Sequence, residues 1–158
     1  ALHGRVLGPL LRPRLALALV GLASAAVLYA GADLFMIGLR ALAPALAAQV
    51  ESVYAWSDDA PLPVRLTLLC VIVPGEDLVW RGMVTLPLAA RCGPWLGCLL
   101  AGTLFAIAHL TSGPPLLVIA ALAMGTLWSL LAVRTRSLVP VVTSHLAWDL
   151  VVMFVRPL

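Results

Sequence analysis

Pro74-Gly75-Glu76-Asp77-Leu78-Val79-Trp80-Arg81-Gly82 lies between two apolar runs, Leu66 to Val73 before it and Met83 to Ala90 after it. The runs read as one helix at membrane depth, where each charged side chain costs about 2.5–3.5 kcal/mol. The chain has only seven Asp and Glu residues, so two side by side here mark a functional site rather than a solvated face. Charged groups in such a setting turn toward a protein interior or a wet cavity, away from lipid. The stretch therefore predicts a bundle of helices around it, and partners for Glu76 on other spans.

The rest of the composition agrees. Hydrophobic residues make up 63% of the 158 and charged residues 11%, against about 45–50% and about 25% in soluble domains. An integral membrane protein follows. The ten basic residues are all arginine and stand singly or in small groups at segment ends, a pattern of membrane topology rather than of a nucleic-acid surface. The all-arginine content points to a GC-rich, bacterial source and an inner (plasma) membrane location. Cys70, Cys92 and Cys98 are odd in number and lack metal-ligand spacing, so they read as small packing residues.

About five spans fit the length: Leu15–Leu39, Val64–Ala90, Trp95–Leu110, Leu116–Val133 and Leu138–Val155. Arg5, Arg12 and Arg14 precede the first, whose apolar run exceeds a signal-peptide core, so it is expected to stay uncleaved. Arg40–Trp56, with Tyr54 and Trp56 at its end, suits an interfacial helix or a loop. Ser57–Pro63 reads as a loop. Pro74-Gly75 is expected to bend the second span, with Gly75 admitting a close backbone neighbour. The expected fold is an all-α, polytopic transmembrane bundle, with an N-terminal part at 1–63 and a helical core at 64–158. Arg5, Arg12, Arg14, Arg91, Arg134 and Arg136 fall on one side of these spans, and the Asp58-Asp59 loop falls on the other. The positive-inside rule then makes the arginine side cytoplasmic.

Two more spans carry polar pairs at helical spacing. Phe105 and His109 are four apart, as are His145 and Asp149, so each pair shares a helix face. Arg81 is four residues from Asp77 and five from Glu76, which favours Asp77 as its partner. Singly, each of these groups suits a structural hydrogen bond between helices. Together they place acids and histidines on three spans, where they converge only in the bundle interior. Chains of Asp, Glu and His also serve proton relays in transporters, but the inverted repeat of many transporters is absent here.

Glu76-Asp77-xxx-Arg81, Phe105-xxx-His109 and His145-xxx-Asp149 resemble, in order, the EExxxR, FxxxH and HxxxN/D motifs of the CPBP family. These are the CAAX-protease and bacteriocin-processing, or Abi, intramembrane endopeptidases. The resemblance covers about residues 64–155. It departs at Asp77, where the family has a second glutamate, and at Asp149, where asparagine is commoner. It implies a glutamate-dependent endopeptidase acting on a membrane-anchored protein or peptide, with no nucleic-acid partner. Glu76 and His109 would hold and deprotonate a water, and His145 with Asp149 would stabilise the oxyanion. Ionised aspartate only accepts hydrogen bonds, so Asp149 is expected to orient His145. Arg81 would hold Asp77, and Phe105 would pack beside the site. No cofactor is expected. The rival is a zinc site of Glu76, His109 and His145, a His₂Glu set. A non-catalytic bacteriocin-immunity or scaffold role is the alternative function.

Overall fold

A computed structural model describes residues 8–50, 54, 60–111 and 113–158. Every regular element among them is helical: α1 (Leu15–Leu42), α2 (Pro44–Ala47), α3 (Leu62–Asp77), a π-helical segment π1 (Leu78–Thr85), α4 (Leu86–Cys92), α5 (Pro94–Ala108), α6 (Pro115–Thr135), α7 (Val139–Leu150) and a second π segment π2 (Val151–Val155). The protein is an all-α bundle. Residues Arg5, Glu51, Trp56 and the first part of the expected 57–63 loop lie outside the described residues; α3 already begins at Leu62.

Proline sets several starts. Pro44, Pro94 and Pro115 each open a helix, where the missing N–H has no intrahelical acceptor to lose and φ is already helical. Gly93 separates α4 from α5 at φ 86°, a left-handed conformation that a Cβ disfavours.

α1 and α6 are long and apolar enough to cross a bilayer, and Pro94–Ala108 and Val139–Val155 are shorter apolar helices. Much of the apolar surface faces outward: Leu15, Leu19, Val27, Leu34, Phe35 and Ile37 on α1 are exposed, as expected of a surface solvated by lipid. Inside, small residues let helices touch. A Cβ on Gly21 of α1 would come 2.5 Å from the Pro140 carbonyl oxygen of α7. One on Gly125 of α6 would come 2.8 Å from the Phe105 ring of α5. Such close approach is how helices associate where lipid is as apolar as their own side chains. Trp128, Ala132, Leu138 and Val141 form one buried cluster, and Phe105, Ala106 and Ala121 another.

The second span has an irregularity beyond the one the sequence suggests. The helix runs through Pro74 and Gly75 to Asp77, and the change comes after it, in π1. There Leu86 N–H reaches the Arg81 carbonyl, five residues back, and the Thr85 hydroxyl donates to the Trp80 carbonyl at 2.8 Å. Nor does a backbone approach Gly75, where a Cβ would meet open space. Proline costs one hydrogen bond and is tolerated within a helix, whereas π segments recur at functional sites. Asp77, Arg81 and Thr85 along this segment are all fully buried.

The helices have two well-defined ends. At one, Leu138 N–H and the Ser137 hydroxyl donate to the Leu10 carbonyl at 2.9 and 3.1 Å. At the same end the Arg134 guanidinium lies 5.3 Å from the Trp95 ring centre. Arg12, Arg14, Arg91, Arg134 and Arg136 therefore gather there. At the other end Tyr29 donates to the Arg156 carbonyl at 3.2 Å and Arg156 pairs with Asp33 at 3.3 Å. Met36, Ala47 and Leu116 cluster beside Leu158.

Candidate active site

Asp77 is the hub of the polar interior. Its Oδ1 lies 3.2 Å from Arg81 Nη1, and its Oδ2 lies 3.3 Å from His145 Nδ1 on α7. One carboxylate thus ties π1 to α7. The contact with His145 is absent from the sequence reading, which assigned Asp77 to Arg81 alone. The i,i+4 spacing within one helix is legible; the approach of α7, 68 residues away, is not.

Arg81 is fully buried. Its nitrogens do not align with an acceptor well enough to form a hydrogen bond, although Asp77 is in ion-pair contact. Two aromatic faces complete its surroundings: the guanidinium carbon lies 4.5 Å from the Phe105 ring centre and 5.3 Å from that of Trp128. A desolvated cation over such faces gains about 2 kcal/mol. Trp128 also stacks on His145, with ring centres 3.9 Å apart, and donates its indole N–H to the Ser144 hydroxyl at 3.1 Å. Asp77, Arg81, Phe105, Trp128 and His145 therefore form one closed layer. Trp128 lies outside the three sequence motifs. Its signal is position: tryptophan in membrane proteins favours the headgroup level, and Trp128 stands well inside the helix α6.

Above this layer is a cavity of about 520 Å³ lined by Glu76, Phe105, His109, Trp128, His145 and Asp149, among apolar side chains such as Leu69, Ile72 and Met124. His109 caps the C-terminus of α5, and its Nδ1 lies 2.8 Å from the Phe105 carbonyl oxygen. A carbonyl only accepts, so Nδ1 carries a proton, and in the neutral ring Nε2 is the acceptor. The His109 and Phe105 rings are 4.4 Å apart. Asp149 Oδ2 is 3.6 Å from His145 Nε2, beyond hydrogen-bond range. Asp77, not Asp149, is therefore the carboxylate bonded to this histidine. Asp149 is in ion-pair contact with the opposite ring nitrogen, so the His145 ring lies between two carboxylates, the closer one from α3.

Among the described residues, no three His, Cys, Asp or Glu side chains are grouped as a metal site requires. The Glu76, His109 and His145 set does not fit a zinc ion in this geometry. Cys70 and Cys92 are exposed and Cys98 is buried, all as free thiols.

Neither the curated proteins nor the solved structures gave a significant match to this chain. The family model for Rce1-like type II CAAX prenyl endopeptidases matches residues 59–151. That range holds the whole buried layer together with Glu76, His109 and Asp149, and the chain belongs to the Rce1-like family, a family of membrane-embedded proteases.

Proposed function

We propose that the protein is an intramembrane endopeptidase that hydrolyses a peptide bond of a membrane-anchored protein or peptide, in a multi-pass fold of the bacterial inner membrane, using a water activated by Glu76 and His109. The observation that carries the reading is that Glu76, His109, His145 and Asp149, from three helices, line one cavity. That cavity is otherwise mostly apolar, which suits a segment delivered from lipid.

In the proposed reaction the water oxygen attacks the scissile carbonyl carbon while Glu76 takes its proton. His109 Nε2 accepts the second water hydrogen and so aims the oxygen lone pair. The carbonyl electrons move onto oxygen, and the tetrahedral oxyanion receives a hydrogen bond from a His145 ring N–H. Collapse breaks the C–N bond, and Glu76 returns its proton to the leaving amine. The products are a carboxylic acid and an amine; the acid then passes its remaining hydroxyl proton to the amine, leaving a carboxylate and an ammonium. Asp149, 3.6 Å from His145 Nε2, flanks that ring on the cavity side. Asp77 holds that ring from the other side, and Arg81 compensates the Asp77 charge. No metal enters the scheme.

The test is N-terminal proteomics of membrane fractions from cells carrying the wild type or Glu76→Gln. New N-termini that vanish in the variant, at equal protein level, identify both substrate and cleavage site. An unchanged set of N-termini, with a purified variant as active as wild type on candidate peptides, would reject the proteolytic role of Glu76. Retention of a protective phenotype by that variant would favour the immunity or scaffold role instead.

A further inference from the structure

The bonds of His145 to its two acids do not fix its ring. The Nδ1 contact with Asp77 Oδ2 is 3.3 Å long and the Nε2 contact with Asp149 Oδ2 is 3.6 Å; a well-formed N–H···O bond is about 2.9–3.0 Å. The outer torsion of a histidine is broad and roughly two-fold. Turned by half a revolution about it, the ring would put carbon where Nδ1 and Nε2 now stand. One long bond to Asp77 resists that turn weakly, and it leaves the tilt of the ring about the bond unset.

Trp128 of α6 supplies what those bonds lack. Its ring stacks on His145 with centres 3.9 Å apart and planes 28° from parallel, which sets the plane of the imidazole. The indole is itself held on several sides. Its N–H donates to Ser144 Oγ at 3.1 Å, Trp148 meets it edge-on at 6.2 Å, and the Arg81 guanidinium lies 5.3 Å from its centre. A buried indole N–H needs a partner wherever it stands. Here that partner is the residue directly before His145 on α7, so one side chain grips two successive residues of the helix. If α7 slides against α3, the clamp travels with the ring. Trp128 borders the cavity but is only 2% exposed, so it offers a substrate almost no surface and touches the chemistry through His145.

Resting on the proteolytic reading above, we infer that Trp128, anchored by Ser144, is a positioning residue: it holds the His145 ring so that Nε2 faces the cavity, where the oxyanion forms. Neither residue belongs to the three sequence motifs.

Kinetics of three variants test the role. Trp128→Leu removes stack and anchor, Trp128→Phe keeps a stacking ring without the N–H, and Ser144→Ala keeps the indole without its acceptor. Misplacing a reacting group costs about 10²-fold. On a peptide whose cleavage depends on Glu76, Trp128→Leu is therefore expected to lower kcat by about that factor with KM near the wild-type value. Trp128→Phe should recover most of the loss, and Ser144→Ala should lower kcat several-fold. In a His145→Ala background Trp128→Leu should change nothing further, because no ring is left to position. Wild-type kinetics in Trp128→Leu overturn the inference. So does a rise in KM at constant kcat, which denotes substrate contact, or an undiminished loss in the His145→Ala background, which denotes packing alone. If Trp128→Leu fails to fold, Ser144→Ala carries the test, and a wild-type kcat there overturns the anchor and the inference with it. NMR of isotope-labelled histidine reads the hold without activity. The His145 ring protons, identified by their loss in His145→Ala, should lie upfield from the indole ring current and return toward ordinary values in Trp128→Leu; unchanged shifts overturn the hold. Should no peptide be cleaved in a Glu76-dependent way, the proteolytic reading falls, and these shifts still decide whether Trp128 fixes His145.

Discussion

Asp77 Oδ2 and His145 Nδ1 are 3.3 Å apart, joining the last residue of α3 to α7, while Oδ1 of the same carboxylate faces Arg81 of the π-helical segment at 3.2 Å. All three side chains are buried. Removing one partner of a buried pair leaves the other charge uncompensated, at about 3–5 kcal/mol. Asp77→Ala and Arg81→Ala should each lower stability by about that much, read as thermal unfolding of the purified protein in detergent. Asp77→Ala combined with Arg81→Ala removes both charges and should cost less than the two single changes summed. Additive costs would mean that the two groups do not act as a pair.

Glu76 is adjacent to Asp77 but belongs to the cavity wall, not to the layer. Glu76→Gln keeps the shape and hydrogen-bonding atoms and removes the base. Cleavage should fall by about 10²–10⁴-fold, while the unfolding midpoint stays near that of the wild type. An equal fall in stability would assign Glu76 to the packing instead.

How much of this was legible depends on the range of each interaction. The helix limits followed from hydropathy and from Pro94, Pro115 and Gly93, because those signals are local. The Asp77–Arg81 pairing is likewise local, fixed by i,i+4 spacing. The same rule brought Asp149 near His145, yet only to 3.6 Å, because the ring turns its bonding nitrogen toward α3. The stacking of Trp128 on His145 depends on how α6 and α7 cross, which no window of sequence encodes. The π segment was not legible for a different reason: a proline such as Pro74 marks where a helix loses a bond, whereas the π register change at Leu78–Thr85 has no single-residue signature.

Two glycines separate packing from propensity. A Cβ on Gly102 would clash with the Thr126 hydroxyl of α6 and come 2.9 Å from the Thr126 backbone nitrogen. The obstacle includes backbone, so α5 and α6 must part. Gly102→Ala should destabilise by about 1–3 kcal/mol. Gly75→Ala meets open space within α3 and should be neutral or gain up to about 1 kcal/mol from helix propensity. Unfolding of the two variants side by side measures the contrast; a stable Gly102→Ala would mean that the α5–α6 contact is looser than described.

Chelation separates water activation by Glu76 from activation by zinc. A catalytic zinc bonds each of three side chains at about 2.0–2.2 Å, so the ligands must converge on one point. Glu76, His109 and His145 come from α3, α5 and α7, and among the described residues no such trio is gathered. Two of the ring nitrogens are already engaged: His109 Nδ1 with the Phe105 carbonyl and His145 Nδ1 with Asp77. Carboxylate and carbonyl partners of this kind also orient zinc-bound histidines, so these bonds alone do not decide between the mechanisms; the lack of convergence favours the metal-free one. Dialysis of the detergent-purified protein against 1,10-phenanthroline should therefore leave the cleavage rate unchanged, with elemental analysis showing no stoichiometric zinc before treatment. Loss of activity on chelation, restored by added zinc and abolished by His109→Ala, would require the helices to close further than they do here and would replace the glutamate–water scheme.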